Sequence, residues 1–493
     1  MGRVIVGVAG RLLAMALALA TLGVGTLGAD ELAAKRSPLD TAALAARVRE
    51  EFLHAWRGYK QYAWGSDDLL PLSRAGRNWH EHTLYMTPVD ALDTLVLMGL
   101  DEEARATRDF LARNLSFDRD IEVKNFEITI RILGGLLSAH QLSGDRRLLA
   151  LAEDLGGRLL PAFESPTGMP YMYVNLKTGR VRGAETNPAE IGTLILEFGT
   201  LARLTGRSVF FDKAKRALVA LYERRAPTDL VGQGIDVETG KWTDTTSHVS
   251  GGIDSYYEYL LKCERLFGDA DCATMWKTSI AAVNLHLADT DPRGGLWYGA
   301  ADMATGRRTA TTHGALDAFL PAVLALGGDL ERARRLQESG FRMWSLHGIE
   351  PEVLDYRAME VVSPGYQLRP EIVESAYYLH QLTRDPRYLE MGRTFLRDLV
   401  KYCRTDAGYT SLKSVVTKEK GDYMHSFFLA ETLKYLYLLF SPQALDFESV
   451  VFNTEAHPLR ATWRTGETPR HSQLRRHAFA PCPPPRRCLA FVR

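Results

Sequence analysis

Cysteine is scarce in this chain. Its 493 residues hold five, none with zinc-ligand company at a suitable spacing, which speaks against a metal cluster built on thiolates. Cys263 and Cys272 are close enough in sequence to bridge if the turn between them allows it; Cys482 and Cys488 sit in a Pro/Arg-rich stretch and Cys403 stands alone. The odd number leaves at least one thiol free or paired between chains. Net charge is missing too. Sixty basic and sixty acidic residues cancel, so there is no electrostatic footprint for nucleic acid. Beyond residue 27 no apolar run is long enough to span a bilayer, which excludes a multi-span membrane protein. Lysine is sparse as well, 14 against 46 arginines, a bias that with abundant Ala and Gly points to a GC-rich, often bacterial, coding sequence.

What is present is an ordinary globular composition, 46% hydrophobic and 24% charged, incompatible with disorder or collagen. At about 150 residues per domain the length predicts two or three domains, or one large toroid. Arg3 and Arg11 precede an apolar run from Leu12 to Leu27 that ends in Gly28-Ala29-Asp30, the pattern of a secretory signal. Residues 1–29 are therefore expected to be cleaved, leaving an exported protein, periplasmic or secreted, with a retained anchor as the alternative. Asn114-Leu115-Ser116 is a glycosylation sequon, meaningful only in a eukaryotic secretory host. From Leu459 the chain changes character. Residues 459–493 hold eight arginines, one acid (Glu467) and Pro483-Pro484-Pro485, and are expected to form a disordered tail. That leaves 30–458 as the folded unit.

One pattern recurs along that unit. A tight turn follows an apolar stretch at Gly144-Asp145, Gly206, Gly268-Asp269, Gly328-Asp329 and Arg384-Asp385, with an earlier degenerate instance at Gly99-Leu100-Asp101. The spacing is close to 60 residues, the mark of a repeated supersecondary unit. Before each turn lies a stretch apolar nearly all round; after it comes an amphipathic stretch with one wet face. Buried and half-exposed helices alternating at constant spacing predict an all-α toroid of six or seven inner and outer pairs, with an open superhelix as the rival. Few β-rich runs compete, although Phe447 to Asn453 alternates like a strand.

Carboxylates keep phase with the repeat. Glu127, Glu190, Asp254, Asp317 and Glu371 each precede a turn by 11 to 17 residues, near the start of a predicted inner helix. Any one of them could serve only the helix dipole. Five in phase on apolar helices would be buried without water unless they ring a polar cavity. Such a ring suits glycoside hydrolysis by paired carboxylates, or binding of a hard cation, or both. Glu371 and Glu374 share a helical face, as do Asp90 and Asp93, and Arg131 can pair with Glu127 four residues before it.

Seven segments, in order, resemble class I α-mannosidases of glycoside hydrolase family 47. They are Thr87 to Leu95 (TPVDALDTL), Phe126 to Leu136 (FEITIRILGGL), Ala189 to Thr193 (AEIGT), Asp254 to Leu260 (DSYYEYL), Leu368 to Glu371 (LRPE), Ser426 to Thr432 (SFFLAET) and Val451 to Pro458 (VFNTEAHP). The resemblance implies an (α/α)7 barrel plugged at one end by a C-terminal β-hairpin, with 30–458 as the catalytic domain. It implies calcium-dependent, inverting hydrolysis of terminal α-1,2-linked mannose from oligomannose glycans or manno-oligosaccharides. Glu127 resembles the general acid, Glu371 the base and Asp254 a third catalytic carboxylate. Thr454 resembles the direct Ca2+ ligand, with Glu190, Glu374, Glu431 and Glu455 holding its waters. Arg131, Arg369, Pro370 and Phe427, together with Glu374 and Glu431, resemble sugar-pocket residues, and His457 reads as a structural hydrogen-bonder. The expected partner is a mannose-containing glycan; neither nucleic acid nor, after signal cleavage, a membrane is expected, and the protein is expected to be a monomer.

Departures from the family narrow the expectation. Ala315 stands where ER and Golgi members carry His, and Ala318 where they carry Cys, so the family's usual disulfide is absent. Two residues before Asp254, ER members place Arg and Golgi members Leu; Gly252 stands here, which predicts a more open outer pocket and leaves branch preference undefined. Together with the signal and the Arg-rich composition, these point to a bacterial exported enzyme. A glycan-binding relative without turnover is the main alternative. Another toroid glycosidase or an epimerase would leave the Thr454 motif without a reason.

Overall fold

The computed structural model describes residues 39–461. The expected signal (1–29), the Cys482–Cys488 pair and most of the expected tail lie outside them. Among the described residues no helix is long and apolar enough to cross a membrane.

Inner and outer helices alternate as the repeat predicts. The outer ones are Thr41–Tyr62, Asp101–Asn114, Arg146–Leu159, Val209–Tyr222, Ala270–His286, Leu330–His347 and Arg387–Tyr402. The inner ones begin at Met86, Asn125, Pro188, Asp254, Leu316, Glu371 and Phe428. Each inner helix packs on the outer helix that follows it. Each also touches the next inner one, and the last returns to both the first inner helix and the first outer helix.

The turns have a local cause. Gly144, Gly206 and Gly268 take φ of 73°, 74° and 69°, the left-handed conformation that ends a helix without steric cost. The Asp after the Gly then caps the outer helix: Asp145, Asp269 and Asp329 accept the backbone N–H of Arg147, Cys272 and Arg332. Arg384 holds the same conformation (φ 58°) without being glycine. Across the Gly268 turn Cys263 and Cys272 form a disulfide, while Cys403 is free and buried.

The structure is helix-rich as expected, and it adds short strands. Short antiparallel ribbons occupy the connections from outer to inner helices, among them Tyr173–Asn175 with Val181–Arg182, and Gly234–Asp236 with Trp242–Asp244. Three carry the same turn, Asn175…Thr178-Gly179, Asp236…Thr239-Gly240 and Asp302…Thr305-Gly306. In each, the Asn or Asp side chain accepts the Thr N–H and the glycine sits near φ 70°. That motif was the available sequence signal. These ribbons enter the inner helices at the ends where the carboxylates lie.

The strand expected over Phe447 to Asn453 is shorter, Val450–Phe452, and pairs with Pro458–Arg460. Leu459 is buried in that hairpin and the Ala461 N–H bonds to the Ser449 carbonyl, so the folded unit runs on past the expected 458/459 boundary. The hairpin tip docks on Gly134-Gly135. A Cβ at Gly134 would lie 2.6 Å from Asn453 Nδ2, so only glycine admits the tip. Asn453 Nδ2 donates to the Ile130 carbonyl and to Glu197, and its Oδ1 accepts from the backbone of Glu455 and His457.

Buried charges lock the tip. His457 bonds Asp93 at 2.7 Å and Asp90 at 3.3 Å, and Lys434 lies 2.8 Å from Asp93. Burial alone would raise the Asp93 carboxyl; the charges of Lys434 and His457 overcome it and hold the group at about 2. With an ordinary value of 3.8, this contribution to stability is complete above about pH 4 and is lost as pH falls through 2. Asp93→Asn should therefore destabilise the protein by about 3–5 kcal/mol near neutral pH, since it leaves Lys434 unpaired. In chemical denaturation followed across pH, the gap between wild type and variant should narrow from pH 4 to pH 2; a constant gap would contradict this account.

Candidate active site

The carboxylates converge as their phase predicts. A single cavity of about 270 Å³ is lined by Glu127, Arg131, Glu190, Asp254, Arg369, Pro370, Glu371, Glu374, Phe427, Glu431, Thr454 and Glu455, every site residue named from the sequence. Asp317 is not among its lining residues; it is buried, 3.4 Å from His313. Phe126, Lys124, Asn187 and Glu258 line it as well without having been picked out. The first two flank Glu127, and Glu258 follows Asp254 by one helical turn, so position alone could have found them.

Two inner helices reach the cavity through π-helical turns. Thr129–Leu133 carries Arg131 and Phe428–Thr432 carries Glu431. Such a turn inserts a residue and re-aims side chains, a device common at functional sites. Arg131 bonds Glu127 Oε2 through Nε at 3.1 Å and Nη2 at 3.0 Å, and also contacts Glu455. Its guanidinium lies 5.6 Å from the ring centres of both Trp79 and Phe427. Arg369 is held by Glu352 at 2.9 Å. Lys262 pairs with Glu258 and reaches to 3.8 Å from Glu374, which also accepts from the Tyr435 hydroxyl at 3.3 Å. Asn187 caps its short helix by accepting the Glu190 N–H at 3.0 Å, which fixes where that carboxylate begins.

Removal from water decides the protonation. Burial pushes Asp254 up to about 7, Glu190 to about 7 and Glu371 to about 8. Glu374 rises to about 8 for the same reason despite Lys262, and Glu431 rises well above its ordinary value. Glu190 Oε2 and Glu371 Oε2 are buried with no hydrogen-bond partner. Carboxylates outnumber cations here, and unpartnered buried oxygens in an all-oxygen set fit a hard cation such as calcium. The carboxylates are spread out. Among the described residues, the one set of three His, Cys, Asp or Glu with ligand atoms within 4.8 Å of one another is Cys263, Asp269 and Cys272, whose sulfurs are already bonded together. An ion among the cavity carboxylates would thus be reached mainly through water. Thr454 sits among them, its N–H donating to the Tyr259 hydroxyl, which in turn donates to Glu197.

Gly252 lines the cavity. It has φ 93°, and a Cβ there would lie 2.6 Å from Gln233 Nε2, so the Gln233 amide takes the space that a side chain would fill.

Paired carboxylates around a sugar-sized cavity, set on successive packed helix pairs, are the working parts of a glycoside hydrolase. The glycosyl hydrolase family 47 profile matches residues 51–461. Alpha-mannosidase I MNS5 of Arabidopsis thaliana is 40% identical over 443 residues, covering 84% of this chain and 76% of that protein. Human ER degradation-enhancing alpha-mannosidase-like protein 2 is 37% identical over 457 residues, covering 85% and 78%. Among solved structures, the alpha-1,2-mannosidase from Trichoderma reesei superposes with a TM-score of 0.79 at 28% identity, covering 86% of this chain and all of that one. The chain belongs to glycosyl hydrolase family 47, and it is a glycoside hydrolase.

The close fit at Gly134 gives a test of the site's floor. Gly134→Ala should lower stability by about 1–3 kcal/mol as the hairpin tip is forced off the inner helix. An unchanged thermal midpoint would show that the tip is not seated there.

Proposed function

We propose that this enzyme is a calcium-dependent, inverting exo-α-1,2-mannosidase acting on oligomannose glycans or manno-oligosaccharides. The observation that carries the reading is the gathering of Glu127, Asp254, Glu371 and Thr454 around one cavity of about 270 Å³. Family relatives named as mannosidases support the same substrate class. The cycle of inner-helix contacts supports an (α/α)7 barrel, with Val450–Phe452 and Pro458–Arg460 as its plug.

Glu127 acts as general acid through a water and is oriented by Arg131. Glu371, on a different inner helix with one oxygen free, accepts the proton of the attacking water. An inverting pair leaves roughly 6.5–9.5 Å between carboxyl groups to admit that water. Asp254 is a third carboxylate beside them. Thr454 would hold calcium directly, and Glu190, Glu374, Glu431 and Glu455 would hold it through water. When bound, the ion supplies positive charge that favours ionised carboxylates and a grip on sugar hydroxyls. Phe427 offers a ring face to the sugar, with Arg369 and Pro370 beside it.

The N-terminal pattern supports an exported protein, and the Arg-rich composition supports a bacterial source, although the relatives named above come from a plant, an animal and a fungus. We read it as a monomer without stable membrane association after signal removal.

Glu127→Gln and Glu371→Gln should each cut turnover by roughly 100-fold or more with the thermal midpoint retained. Near-wild-type turnover in either would remove that residue from its role. Thr454→Ala should weaken calcium binding measured by calorimetry; unchanged affinity would take Thr454 out of the metal site.

A further inference from the structure

Three cations line the cavity, each paired with a carboxylate. Arg131 is taken by Glu127 and Glu455, Arg369 by Glu352. The third, Lys124, lies at the end of the strand Glu122–Lys124, three residues before Glu127. Its ammonium is 2.5 Å from Glu190 Oε1, and Glu190 is only 4% exposed. Side-chain exposure falls from 35% at Lys124 to 22% at Glu127 and 11% at Arg131, so this segment descends from rim to floor with Lys124 outermost. An ammonium has three donors, and Glu190 Oε1 is its one close carboxylate partner here.

We propose that Lys124 is a substrate-binding residue for the departing sugar: its ammonium donates to hydroxyls on the leaving-group side of the scissile bond, while its bond to Glu190 Oε1 leaves Glu190 Oε2 free to accept from the same sugar. The inference rests on Glu127 being the acid. A general acid must face the leaving oxygen, so a cation flanking Glu127 on its solvent side meets what departs and not the sugar held at Thr454. Glu190 Oε2 is buried and unpartnered in the same lining, and a carboxylate oxygen with two lone pairs can accept from a sugar hydroxyl as well as from a calcium-held water. A buried acceptor without a partner is costly, and a sugar hydroxyl is one partner that the site's chemistry supplies.

The test compares two substrates with the same retained sugar. α-1,2-Mannobiose carries a departing mannose; α-D-mannosyl fluoride does not. With the full chain in saturating calcium, Lys124→Met should lower kcat/KM for mannobiose by about 10- to 100-fold, while the fluoride stays within about two-fold of wild type. Lys124→Arg, which keeps the charge and donors, should restore most of the loss. Equal losses on both substrates, with no rescue by Arg, would overturn the proposal in favour of a purely structural ion pair. Unchanged values on both would overturn it outright. A wild-type enzyme inert on both substrates would instead defeat the mannosidase reading beneath it.

Discussion

The tip of a five-residue turn, Asn453 to His457, is held against the inner helices by buried charge, and the site depends on that hold. Lys434 and His457 converge on Asp93, and His457 also reaches Asp90, in a region with no exposure to solvent. These four residues come from the first inner helix, the last inner helix and the hairpin. Their mutual attraction therefore fastens the two ends of the folded unit to each other and sets Thr454 and Glu455 among the cavity carboxylates. Desolvation makes such a cluster expensive unless every member is paired, which is the condition met here. Glycine at 134 is the steric counterpart: the backbone comes within reach of Asn453 only because no side chain intervenes.

The same removal from water explains the electrostatics of the cavity. Buried carboxyl groups with few cations among them favour the protonated form, and Asp254, Glu190, Glu371 and Glu374 all rise accordingly. Arg131 is bonded along the edge of Glu127 and fixes its direction. Glu127, oriented by Arg131, and Glu371, with one oxygen free, stand on separate inner helices; in the proposed mechanism the base at Glu371 needs the ionised form, which burial opposes and a bound cation would favour.

Much of this was legible in the sequence because it rests on local rules. The Gly-Asp turns announce a left-handed helix end followed by a capped helix, and they repeat. Acids placed near the starts of apolar helices are costly to bury singly, and Glu127, Glu190, Asp254 and Glu371 share one polar cavity. Asp317 shares the phase but not the cavity, since phase fixes position along a helix and leaves direction open. The ribbons were missed because strands of two to four residues carry no periodicity to read, although their Asx turns do. The π-helical turns at Arg131 and Glu431 were illegible for a different reason: an inserted residue depends on what packs around the helix. Gln233 filling the space beside Gly252 is a long-range contact, which a reading of Gly252 alone cannot supply.

The most direct measurement is the anomer released early in turnover of α-1,2-mannobiose, followed by NMR after chelation and again after calcium is restored. The account predicts β-mannose, appearing only when calcium is present. Release of α-mannose, or the same rate without calcium, would contradict it. No release from a folded, calcium-loaded protein would point to glycan recognition without hydrolysis.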